Sequence, residues 1–177
     1  MWILPGRAAG TAVLIGLALS GCANAVSNPI SPQQARSQVV DAARDIVTTL
    51  SAEVTEATFS YESCNDQGDP PFRGVAKVSF WVPGVPHNQS ADPQAVIGPL
   101  VRNGWSTNSD FTSHAPTLRK GKVNVILTVL PAHFPAGVER KSHAWVDVNG
   151  ECRDMFDHRT DDSILPVDIK AELLQPR

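Results

Sequence analysis

Between residues 31 and 82 the apolar side chains change period, and that change restricts the chain to folds in which a helix lies on a sheet. In "SPQQARSQVVDAARDIVTTL" Ser31 suits an N-cap, Pro32 the first helical position and Gln34 the return leg of a capping box. Ala35, Val39, Ala42, Ala43, Ile46, Val47 and Leu50 then recur at helical spacing, with Arg36, Asp41, Arg44 and Asp45 on the remaining faces. One face is buried and one is wet. The polar face is not lysine-rich, which favours a core-covering helix over one lying in a membrane surface.

Directly afterwards the period becomes two. "ATFSYES" places Ala57, Phe59 and Tyr61 on one side of a strand, and "VAKVSFWV" places Ala76, Val78, Phe80 and Val82 on one side of another. These two strands are expected to pair antiparallel through the loop from Cys64 to Gly74. Asp92-Pro93 opens a second helix and Gly104 stops it, with Gly98-Pro99 kinking or shortening it. "KVNVILTVL" alternates Val123, Val125, Leu127 and Val129, and Lys120-Gly121 marks a turn from a short partner strand near Thr117. In "SHAWVDVNGECRDMF" the pair Asn149-Gly150 reads as a hairpin turn. The order α-β-β-α-β-β, with room for one more strand, predicts an α+β fold: an antiparallel sheet of four to five strands with two helices packed on one face.

The N-terminus is of another kind. Arg7 precedes an apolar run from Ala8 to Leu19 that is about half the ~20 residues of a membrane-spanning helix, so it reads as an export signal. The run ends in Leu19-Ser20-Gly21-Cys22, which resembles the lipobox of bacterial lipoproteins. The resemblance implies that Cys22 is alkylated by a diacylglycerol, that residues 1–21 are removed as a signal peptide, and that Cys22 becomes the first residue. A thiol is the side chain nucleophilic enough near neutral pH for that thioether. An ordinary cleaved signal followed by an incidental cysteine is the alternative. Residues 22–30 then form a tether whose flexible reach is under ~20 Å, so the domain rides close to the bilayer. Residues 31–156 are expected to be the single α+β domain and residues 157–177 a C-terminal tail packing on it.

Lipidation of Cys22 leaves Cys64 and Cys152 as an even pair in an oxidising compartment, which reads as one disulfide, two buried free thiols being the alternative. The chain carries a formal charge of −3, and loss of Arg7 with the signal makes the remainder more negative. That argues against nucleic acid and against a basic patch that docks on anionic headgroups, so the expected partner is the membrane, through the lipid on Cys22.

The lipobox, the capped helix, "YESCNDQGDPPFRG" at Tyr61 to Gly74 and "VNGEC" at Val148 to Cys152 together resemble small mycobacterial lipoproteins of the Lpp type. The resemblance covers most of the chain beyond the signal. It implies an exported, lipid-anchored envelope protein on the extracytoplasmic face of the cell membrane, with a Cys64–Cys152 bridge and no catalytic residues, cofactor or metal.

Other residue clusters have chemistry of their own. Asn65, Asp66 and Asp69 could offer oxygens to calcium, but the acidic alternation and terminal Glu of a calcium loop are missing, and a tight turn at Gly68 explains the run. His87, His114, His133, His143 and His158 show no HExxH or paired helical spacing. Cys152, Asp154, Asp157 and His158 could form a mixed metal site only if Cys152 were reduced. A pair such as Asp66 and Asp154, brought together by the disulfide, could act as acid and base. Trp81 and Trp145 lie opposite the apolar faces of their strands, either packed under "SILPVDIKAELL" or exposed as a contact surface. The expectation is a non-enzymatic binding or accessory module. An envelope hydrolase acting on cell-wall material and a carrier of lipid or glycolipid are the alternatives.

Overall fold

The computed structural model describes residues 26–130 and 142–175. Its elements are α1 (Pro32–Leu50), β1 (Glu53–Ser63), β2 (Phe72–Trp81), α2 (Gln94–Arg102), β3 (Thr117–Lys120), β4 (Val123–Val129), β5 (His143–Asn149), β6 (Val167–Asp168) and α3 (Lys170–Leu173). The six strands form one antiparallel sheet in the order β3-β4-β5-β2-β1-β6. This is the expected α+β architecture, and the strand and helix beyond the expected number are the short C-terminal β6 and α3.

Helix α1 begins where its side chains satisfy the free backbone groups. Ser31 Oγ accepts from the Gln34 N–H at 3.2 Å, and Gln34 Oε1 accepts from the Ser31 N–H at 2.9 Å. Its buried face is Ala35, Val39, Val40, Ala43, Ile46, Val47 and Leu50, with Val40 replacing the half-buried Ala42 of the expected stripe. That stripe lies on the alternating residues Ala57 and Phe59 of β1, Ala76, Val78 and Phe80 of β2, Val125 and Leu127 of β4, and Val146 and Val148 of β5, all buried. Register makes the alternation continuous: Phe59 pairs with Ala76, Ala76 with Val148 and Val148 with Val125. Helix α2 keeps Pro99 within its nine residues, and Asp92 Oδ1 accepts from the Gln94 N–H at its start. It buries Val96, Ile97 and Leu100 beside α1.

Two glycines allow α1 to approach the sheet. A Cβ on Gly74 would stand 2.6 Å from the Ala35 carbonyl oxygen, and one on Gly150 would stand 3.2 Å from Val39 Cγ1. The second explains a sequence expectation that fails. Asn149-Gly150 is not a hairpin turn, because β5 lies between β4 and β2 and has no edge left for a returning strand. The chain instead runs on beside β2: the Gly150 N–H donates to Gly74 O at 3.0 Å, and Asp154 and Phe72 exchange backbone hydrogen bonds. Gly150 is thus placed for the closeness of α1, with no positive φ.

The tryptophans do not pack under the C-terminal segment. That segment takes the outer edge of β1, with Val167 opposite Phe59, and sends Ile169 and Leu173 into the core beside α1. Trp81 stacks on His87 with centroids 3.8 Å apart, on the sheet face away from the helices. Half-buried Trp145 shares that face with Glu56, Thr58, Lys77, Ser79 and Asp147, around a shallow cleft of about 460 Å³. Burial pushes the Asp147 carboxyl above the usual carboxylate range there, with Lys77 opposing it. Trp105 is buried on the other side, donating Nε1–H to Asp45 Oδ2 at 2.9 Å. Burial works to raise the Asp45 carboxyl, but hydrogen bonds from Lys120 and Trp105 outweigh it and hold the group below its ordinary range.

Candidate functional site

The C-terminal ends of β1 and β5, the start of β2 and the β3–β4 turn all fall at one end of the sheet, and the Cys64–Cys152 disulfide closes that end with its Cα atoms 5.9 Å apart. Beside Cys152 opens a cleft of about 310 Å³. Four cationic side chains line it, Arg73, Arg119, Lys122 and Arg153, against two carboxylates, Asp110 and Glu151. In a chain of formal charge −3 this is a local excess of positive charge.

The pairing inside the cleft is uneven. Arg119 Nη1 meets Asp110 at 2.8 Å, and Arg153 Nη1 meets Glu151 at 3.2 Å. Lys122 Nζ stands 3.8 Å from the same Glu151, which also accepts from Gln38 Nε2 at 3.1 Å. Arg73 lies 3.8 Å from Glu62, its guanidinium 5.6 Å above the Phe111 ring, and its Nε is buried with no acceptor among the described residues. Four cations against two carboxylates around one cleft suit an oxyanion such as a phosphate or carboxylate.

Next to the cleft the chain forms a buried relay. His158 Nε2 is 2.8 Å from Asp154 Oδ2 and its Nδ1 is 2.6 Å from Ser163 Oγ. The ring is 1 % exposed, stacked on Tyr61 at 3.5 Å and met edge-on by Phe72 and Phe156. Ser163 Oγ also lies 2.5 Å from Asp161, and one hydroxyl proton cannot serve both neighbours. With no ring face open, the relay works as a bracket: it satisfies the wholly buried Asp154, whose Oδ1 accepts from the Phe156 N–H. Tyr61 donates its hydroxyl to Pro32 O at 2.7 Å, and burial, with Asp154 nearby, pushes its phenol up to about 12.

The sequence candidates are distributed as follows. Cys22 lies outside the described residues. Cys64 and Cys152 are joined. Asp66 stands exposed in the turn and Asp154 is enclosed by its bracket, so the acid–base pair does not line the cleft. Asn65 folds back on its own turn, its Oδ1 accepting from the Gln67 and Asp69 N–H groups, while Asp69 pairs with Arg159 at 2.7 Å. Asp157 also meets Arg159 at 2.7 Å, and that hydrogen bond holds its carboxyl down at about 2. Sequence reasoning missed the four cations of the cleft, which carry no shared spacing. The Asp154–His158 spacing of four residues was a signal that could have marked the bracket.

The class of protein that the fold and the cleft define is a disulfide-closed α+β domain with a cationic cleft at its bridged end. The family model described as "Putative lipoprotein LppJ" matches residues 31–172, from the N-cap of α1 into α3, and the chain belongs to that family. Proteins of the same description from Mycobacterium tuberculosis, strains CDC 1551 / Oshkosh and ATCC 25618 / H37Rv, and from Mycobacterium bovis are each 32 % identical to it over 152 residues, 85 % of this chain and 74 % of theirs. No solved structure matches the chain. Among the described residues no helix is long and apolar enough to cross a membrane.

Proposed function

We propose that the chain is a cell-envelope lipoprotein held on the extracytoplasmic face of the membrane by a diacylglycerol on Cys22, and that its domain is a non-enzymatic module binding an anionic group in the cleft beside the disulfide. Family membership and Leu19-Ser20-Gly21-Cys22 support the anchor. The observation that carries the ligand class is the excess of four cations over two carboxylates around the cleft. A lipid carrier would need room between helices and sheet, where Ile46, Phe80 and Leu100 are fully buried against the rest of the core.

Two measurements test this. Mass analysis of the membrane fraction is expected to show a chain beginning at acylated Cys22, with processing absent in Cys22→Ala. A mature N-terminus downstream of Cys22 without acyl mass would overturn the anchor. Titration of the acylated protein with pyrophosphate is expected to give saturable binding that Arg73→Gln or Lys122→Gln weakens about tenfold, a typical cost of one charged contact. Equal binding by parent and both variants would overturn the cleft.

A further inference from the structure

Seven large apolar side chains are exposed among the described residues, and six of them, Met155, Phe156, Ile164, Leu165, Val167 and Leu174, follow the disulfide in the chain. The chain that leads to Cys22 leaves the domain at the same place. Arg153 Nε donates to Asn28 O at 2.7 Å, the Ile30 N–H donates to Arg153 O at 3.0 Å, and Ile30 forms a bridge with Asp154. From Cys22 to Asn28 the covalent chain spans at most about 21 Å. With the acyl chains of Cys22 in the hydrocarbon, Arg153 is held within that distance of the headgroups. Met155 and Phe156, two and three residues further on, are 47 % and 44 % exposed.

We infer that this end of the domain docks on the bilayer that anchors it, with Met155 and Phe156 entering the headgroup–acyl boundary. The inference rests on the anchoring reading above. The occupant is lipid because the tether's length and point of attachment bring this surface to the membrane. The contact at Met155 and Phe156 is apolar in character: Asp157, Asp161 and Asp162 follow directly and offset Arg159, which is already paired with Asp69 and Asp157. Docking in turn would set the mouth of the neighbouring cleft beside the membrane surface.

The test uses the acylated full chain carrying Phe156→Trp in phosphatidylcholine vesicles whose acyl chains are brominated, with the parent's own tryptophans as background. The expected result is loss of the added emission in brominated vesicles and no recovery in high salt. Because Phe156 touches the His158 ring edge-on, Met155→Trp serves as a second probe away from that contact. Quenching of both variants no greater than that of the parent would overturn docking while leaving the anchor intact, whether the surface then faces solvent or a protein. A mass spectrum without acyl groups on Cys22 would overturn the anchor, and docking with it.

Discussion

At the scale of single residues, the space left by a missing side chain decides how closely layers pack. Gly74 is needed because its Cβ would be driven into the Ala35 carbonyl, a backbone atom that cannot rotate away. Gly74→Ala is therefore expected to lower unfolding stability by about 1–3 kcal/mol, measured by urea denaturation, the usual cost of overpacking. A residue whose charge state depends on packing is Tyr61, the chain's one tyrosine, so ultraviolet titration reads it directly. Tyrosinate absorbance is expected to rise with a midpoint near 12 in the folded protein, against about 10 once it is unfolded. The sign follows from the raised value: the contribution is fully present below pH ~10 and is lost as pH rises toward 12. Tyr61→Phe is expected to remove that part of the alkaline loss, and an unchanged alkaline slope would disprove the link.

At the scale of elements, the C-terminal segment is tied to the domain by side chains that can be tested one at a time. Beyond Cys152 it enters the core at Ile169 and Leu173 and through the His158 bracket, with Arg36 and Glu172 pairing at 2.6 Å to join α3 to α1. His158→Ala strands the buried Asp154 carboxylate without its ring donor, so chemical denaturation is expected to show a loss of about 2–4 kcal/mol. Adding Asp154→Asn removes the charge while keeping an oxygen for the Phe156 N–H, and the double variant is expected to be more stable than His158→Ala alone. A purely additive result would mean that the pair is not coupled. At the opposite edge of the sheet the Asp45–Lys120 pair joins α1 to β3, but with both side chains about a third exposed its share of stability is small.

For the whole molecule, the disulfide is the covalent constraint. It joins residues 88 apart in sequence, tying the end of β1 to the chain that leaves β5. In the chain-entropy model a loop of that length is worth about 4–5 kcal/mol, against about 5–15 kcal/mol for the total stability of a domain. Cys152→Ser is expected to lower the melting temperature by many degrees, reduction to do the same to the parent, and reduction of the variant to do nothing. A parent whose melting is indifferent to reductant would show that the bridge does not carry stability. Since the bridge also borders the cleft and the tether's point of attachment, reduction is expected to weaken pyrophosphate binding in the same titration.

The sequence by itself determined α1, β1, β2 and β4, because a period of 3.6 or of two states locally which side chains leave water, and the capping box of α1 needs only four consecutive residues. It made a Cys64–Cys152 bridge the expected pairing, with two free thiols as the alternative, and the structure joins the two. Tertiary structure alone decided the order of strands. Which strands become neighbours depends on contacts far apart in the chain, and the central place of β5 turned Asn149-Gly150 from an expected hairpin into a close-packing site under α1. The cleft was decided in the same way. Arg73, Arg119, Lys122 and Arg153 sit at or just beyond the ends of different strands, and only antiparallel pairing brings those ends together around one cleft.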